Sequence, residues 1–177
     1  KADKSLDNGS VDELEKEYKT EIDETGHRLR NAAYFLVDDI WNGCLCNIVS
    51  YINAGTDVNG EDYDINAGIE QLGTLLQDDQ GYSEFIDSLD DTHYKDIKES
   101  WREAVSEANI LYEQLEQSVP DAVAYDYSFD TAAFEAAMDR FNTSVYSETD
   151  SGQETTQSDT NAESLQEEGE SFVEEAQ

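Results

Sequence analysis

Two acid-x-x-His spacings carry the most suggestive chemistry in this sequence, Glu24-Thr25-Gly26-His27 and Asp90-Asp91-Thr92-His93. Residues three apart share a helix face, so two such motifs on facing helices could hold a carboxylate-bridged pair of metal ions. The register argues against it. His27 falls ~180° from the apolar stripe marked by Tyr18 and Leu36, which turns it toward water. Asp90 precedes the helix that starts near His93, so it reads as a cap. The chain has only these two histidines.

Hard oxygen ligands gather in the polar stretch around residues 57–64, where Asp57, Asn59, Asp62 and Asp64 are the candidate ligands for calcium. An EF-hand loop needs oxygen ligands at positions one, three and five, Gly at six and a bidentate Glu at twelve. With Gly60 at six, Gly55 falls at one and Asn66 at twelve, so that motif fails. A second acidic cluster, Asp78, Asp79, Glu84 and Asp87, falls at another expected helix break. In so acidic a chain such clusters arise from composition alone.

Other reactive groups are sparse. Cys44 and Cys46 lie ~200° apart on a helix, which suits neither a mutual disulfide nor joint metal ligation, and they read as small buried hydrophobes. Asp38 and Asp39 interrupt the central helix and are the best candidates for buried carboxylates. No Gly-x-Ser-x-Gly elbow or phosphate-cradling glycine loop occurs, and neither histidine lies in an apolar run. No cofactor and no catalytic residue is assigned, and the chain reads as non-enzymatic. Tyr125, Tyr127 and Phe129 lie in a connector between helices rather than on a stripe. Aromatic residues placed there bring contact area at low entropic cost, which makes them the candidate partner contacts.

The elements that must position these residues are helices. Ser10 and Glu13 form a capping box, and apolar or small residues follow at Val11, Leu14, Tyr18, Ile22, Thr25, Leu29, Ala32, Leu36 and Ile40 in steps of three and four. From Leu29 to Asn53 the apolar residues cover nearly the full circumference, which predicts a central helix surrounded by partners. A bend or break is expected near Gly26 or Gly43, because an unbroken helix over 10–54 would run ~68 Å. Trp41-Asn42-Gly43 resembles the Trp-x-Gly signature of small secreted helical hairpins exported by type VII machinery, where it marks the hairpin turn. Here the apolar pattern runs straight through it, and no family is assigned.

Gly55 ends that helix, and after a polar loop over 56–63 a second follows with Ile65, Ile69, Leu72, Leu75 and Leu76 on one side. Ser83 caps a short piece after the break at 78–81. A long amphipathic helix starts at Asp91 or Thr92 and stops before Pro120, the sole proline. A last helix starts near Asp130. The expected fold is all-α, an antiparallel bundle of four to five helices around the central apolar helix. Residues 1–9 read as a polar leader or tether, 10–146 as the bundle, and 147–177 as a disordered acidic tail with ten acidic and no basic residues.

The 177 residues carry 43 Asp+Glu against 10 Lys+Arg, a formal charge of -33. Such charge repels a phosphate backbone and an anionic membrane surface, so nucleic acid is not an expected partner. No apolar run approaches the ~20 residues of a membrane span. The expectation is an extracytoplasmic protein, secreted or surface-tethered, binding another protein or a cell-surface component. A calcium-responsive binding protein and a salt-adapted cytoplasmic protein are the alternatives.

Overall fold

The computed structural model describes residues 8–151, and among these the chain is all-helical with no strand. The first helix, α1 (Asn8–Tyr34), continues without interruption through a π-helical stretch (Phe35–Leu45) into α2 (Cys46–Ala54). It is already under way at Asn8, ahead of the Ser10–Glu13 box. The helix is broken at neither Gly26 nor Gly43, and Gly43 lies within the π-helical stretch. Gly26 is instead a point of close approach, where a Cβ would sit 3.3 Å from Thr149 Cγ2. Trp41-Asn42-Gly43 lies within the continuous helix rather than at a turn.

The π stretch has a cause in the spacing. Leu36, Ile40, Cys44, Ile48 and Ile52 recur every four residues and all are buried. In an α-helix each step of four drifts ~40° around the axis, so this run would wind about the rod. The wider π turn holds four- and five-residue steps on one side. Its bonding shows in Cys46 N–H, which donates to Trp41 O five residues back. The expectation of a rod apolar all round is therefore corrected. Its buried side packs on the bundle, while Asn31, Tyr34, Asp38, Asp39 and Asn42 face solvent.

Helices α3 (Ile65–Asp78) and α4 (Gln80–Ser88) are joined at Asp79. Ser83 lies inside α4, not at its start. Helix α5 (Lys95–Gln117) begins later than expected, because Asp90 organises residues 91–94 as a separate turn. Pro120 follows α5 closely and is buried. Helix α6 (Ala132–Ser151) starts where Asp130 Oδ1 accepts the Ala132 N–H, at 3.0 Å. It runs to Ser151, so residues 147–151 are helical rather than part of a tail; residues 152–177, and residues 1–7 of the expected leader 1–9, lie outside the described residues.

Four helical columns result: the rod, α3 with α4, α5, and α6. Trp41 packs on Phe134, and Gly26 lies against Thr149, so α6 runs antiparallel to the rod. The α5–α6 pair is the most extensive. Trp101 on α5 is the hub of the core, with its ring 5.2 Å from Phe141 and 6.3 Å from Phe35, and its Nε1 donating to Ser83 Oγ at 2.9 Å. Two glycines admit tyrosine rings. A Cβ on Gly68 would meet Tyr63 Oη at 2.0 Å, and one on Gly73 would meet Tyr112 Oη at 2.6 Å. Gly68→Ala forces the half-buried Tyr63 ring off its site. The expected loss is about 2 kcal/mol by urea unfolding despite the better helix former, and a stabilised variant would contradict the packing.

Candidate functional site

The candidate site is the connector between α5 and α6, at the end of the bundle where the rod stops. Helix α2 ends in the left-handed conformation at Gly55 (φ 78°), whose N–H donates to Tyr51 O at 2.8 Å. Helix ends leave carbonyls without intrahelical partners. The connector supplies one such partner, as Ala124 N–H reaches Ile52 O at 3.0 Å, and Val123 N–H adds a second, longer bond to Tyr51 O at 3.4 Å. The Gln114 side chain donates to Ser128 O and ties the far side of the loop to α5.

This anchoring holds Val123 at φ 56°, the one non-glycine with positive φ among the described residues. A β-branched residue there is strained and persists only where its surroundings impose it. Two residues on, Tyr125 is 95% exposed, the most exposed large hydrophobic side chain described. Its companions behave differently. Tyr127 and Phe129 are half-buried, their rings 6.3 Å apart, and both pack against the core. Burial raises the Tyr127 hydroxyl above its ordinary pKa. Of the three predicted contacts, Tyr125 projects while Tyr127 and Phe129 cover the bundle's end.

The acidic loop at 57–64 uses its carboxylates locally. Asp57 Oδ1 accepts from the N–H groups of Asn59 and Glu61, each at 2.8 Å. Those bonds, Glu61 first, hold its carboxyl below the ordinary range. Asp64 caps α3, accepting from Asn66 N–H and Ala67 N–H. Asn59 Nδ2 turns to Asp57, and Asp62 is exposed. Among the described residues no three His, Cys, Asp or Glu side chains form a group that could hold a metal ion, so Asp57, Asp62 and Asp64 are not brought together.

The histidine motifs resolve in the same way. Glu24 and His27 are both exposed. Asp90 Oδ1 accepts from Thr92 N–H and His93 N–H at 3.0 Å and faces His93 Nδ1 at 2.9 Å. Asp38 and Asp39 are exposed too, and Asn42 donates to Asp38. Both cysteines are free. Burial, with a smaller effect from Asp39, pushes the Cys44 thiol up to about 11, the opposite of what a nucleophilic thiolate needs.

Sequence reasoning missed two arrangements. Lys98 is buried and donates to Asp87 O at 3.0 Å, Leu89 O at 2.7 Å and Asp91 Oδ1 at 2.5 Å. No apolar periodicity marks a buried lysine. Tyr63 lies with its hydroxyl buried and unbonded, and burial first, then Cys44, raises it to about 12. Gly68, five residues on, whose missing Cβ makes room for the ring, is the trace it leaves in the sequence. Compared with models of known protein families, with curated proteins and with solved structures, the chain matches none. Among the described residues no helix is long and apolar enough to cross a membrane.

Proposed function

We propose that this chain is a non-enzymatic binding protein that works outside the cytoplasm and grips another protein or a cell-surface component through the connector between α5 and α6. One observation carries the reading. Tyr125 stands 95% exposed beside a valine held at φ 56°. Strain imposed next to an uncovered aromatic ring is what a preformed contact residue requires, because the loop loses little further freedom on binding. The acidic residues around it (Asp121, Asp126 and Asp130) favour a partner with a basic surface.

The test uses the full chain as bait in extracts of the cells that make it. Tyr125→Ser is expected to weaken retention of the specific partner about tenfold or more, while Tyr34→Ser on the rod's outer side leaves it unchanged. Equal retention by both variants overturns the site. Cell fractionation tests the location, which fails if the chain is recovered with cytoplasmic markers.

A further inference from the structure

We infer that the outer part of α1, with the groove at its root, is a docking surface for a basic amphipathic helix of another protein. Every residue from 13 to 24 is exposed. Yet this stretch keeps a helical apolar stripe, with Leu14 at 64%, Tyr18 at 68% and Ile22 at 44% exposure. The stripe leads to the buried Leu29, at the end of the bundle opposite the connector. There a groove of about 790 Å³ opens between α1, the α4–α5 turn and the end of α6. Ile22, Phe85, Leu89 and Tyr94 give it apolar walls. Stripe and groove form one apolar track, ~22 Å long from Leu14 to Leu29. An uncovered amphipathic helix of this length has little stability by itself, so the arrangement calls for a partner along it.

Shape selects a helix. The backbone of α1 is hydrogen-bonded within itself, and no strand occurs among the described residues, so an extended segment finds no edge to pair with. A second helix can lay one apolar face along the stripe, its side chains seated between those of α1.

Charge selects the chemistry of that helix. Residues 13–24 hold six acidic and two basic side chains. Glu15 and Glu21 border the stripe, each ~60° around the axis from Tyr18, whereas Lys16 falls on the opposite side. Five acidic residues line the groove against two arginines, one of which, Arg28, lies over the Phe85 ring at 3.8 Å. Burial first, then the charges of Glu148 and Asp90, raises the Tyr94 hydroxyl above its ordinary pKa, a sign of the negative field a cation would meet there. An apolar track edged with acid complements a helix that is apolar on one face and carries Lys or Arg on both flanks. The same charge disfavours the other occupants. A second copy would set Glu17 against Glu21, and residues 152–177 of this chain hold eight acidic and no basic side chains.

The probe is a labelled synthetic peptide of about 18 residues built from Leu and Lys, with Leu in steps of three and four on one face. Fluorescence anisotropy with the full chain in about 0.15 M NaCl is expected to show saturable binding. It is expected to be about tenfold or more tighter than for the same residues scrambled so that no apolar face forms. Tyr18→Ser with Ile22→Ser is expected to weaken binding about tenfold with unchanged helical circular dichroism, since both side chains are exposed. Glu15→Gln with Glu21→Gln is expected to weaken it severalfold and flatten its salt dependence. Tyr125→Ser is expected to leave it unchanged, which separates this surface from the connector. Absence of saturable binding overturns the inference. So does equal binding of the ordered and scrambled peptides, which reduces the attraction to bulk charge, or indifference to the two serines. A dimer of the free chain that the same serines disperse would seat a second copy on the stripe, and peptide binding tightened by Phe172→Ser would seat the chain's own C-terminal segment there; either result also overturns it.

Discussion

Trp101→Ala is expected to remove about 4 kcal/mol of unfolding free energy, the largest loss from any single truncation in this chain. The side chain is 1% exposed, and it joins three columns by touching Phe141 on α6, Phe35 on the rod and Tyr82 on α4. Its truncation also takes a hydrogen bond from Ser83. Small domains have only ~5–15 kcal/mol of stability, so the variant is expected to be near the edge of folding at 37 °C. Urea unfolding followed by circular dichroism at 222 nm measures the loss. A value under about 1 kcal/mol would show that Trp101 is not the hub.

The second large effect is expected at Lys98. Lys98→Met keeps the side chain's length and apolar stem but removes three donated bonds, and is expected to cost about 2 kcal/mol. The carbonyls of Asp87 and Leu89 lose their partner, and the turn between α4 and α5 loosens. The effect on pH dependence has a definite sign. Asp91's carboxyl is held below its ordinary range by the Lys98 hydrogen bond and charge. A depressed carboxylate contributes stability that is complete above pH ~4 and fades as pH falls through the lowered value. The variant is therefore expected to lose part of the acid sensitivity of the native chain, read as a flatter profile of unfolding midpoint against pH below 5. An unchanged profile would mean that the pair does not act in solution.

The helices were legible because apolar spacing is a direct image of which side of a helix is buried. The amphipathic stripe of α5, through Ile97, Trp101, Ala104, Ala108, Leu111 and Leu115, is buried at every position. The rod shows the limit of that logic. Drawn with 3.6 residues per turn, its four-residue steps spread into an all-round apolar pattern, and one-sided burial by a π turn looks identical to burial on every side. The run 36, 40, 44, 48, 52 was the signal that distinguishes them. Of the connector residues, Tyr125 lies at the surface, whereas the half-burial of Tyr127 and Phe129 depends on where the loop meets α2. That docking rests on backbone hydrogen bonds to Tyr51 and Ile52, which side-chain patterns do not encode. Lys98 was invisible for a related reason, since two of its three partners are main-chain carbonyls.

On the proposed function, recognition falls to uncovered apolar side chains rather than to the carboxylate loops, and the acid excess is a solvated coat. Paired thermal melts of the full chain test this most directly, one series in NaCl and one adding millimolar CaCl2 at matched ionic strength. NaCl is expected to raise the melting temperature from dilute buffer, because screening within ~10 Å at 0.1 M relieves repulsion among the acidic residues. Calcium is expected to add less than about 1 °C beyond that. A melting temperature that stays flat or falls with NaCl, or a calcium-specific rise of several degrees, would contradict the central claim.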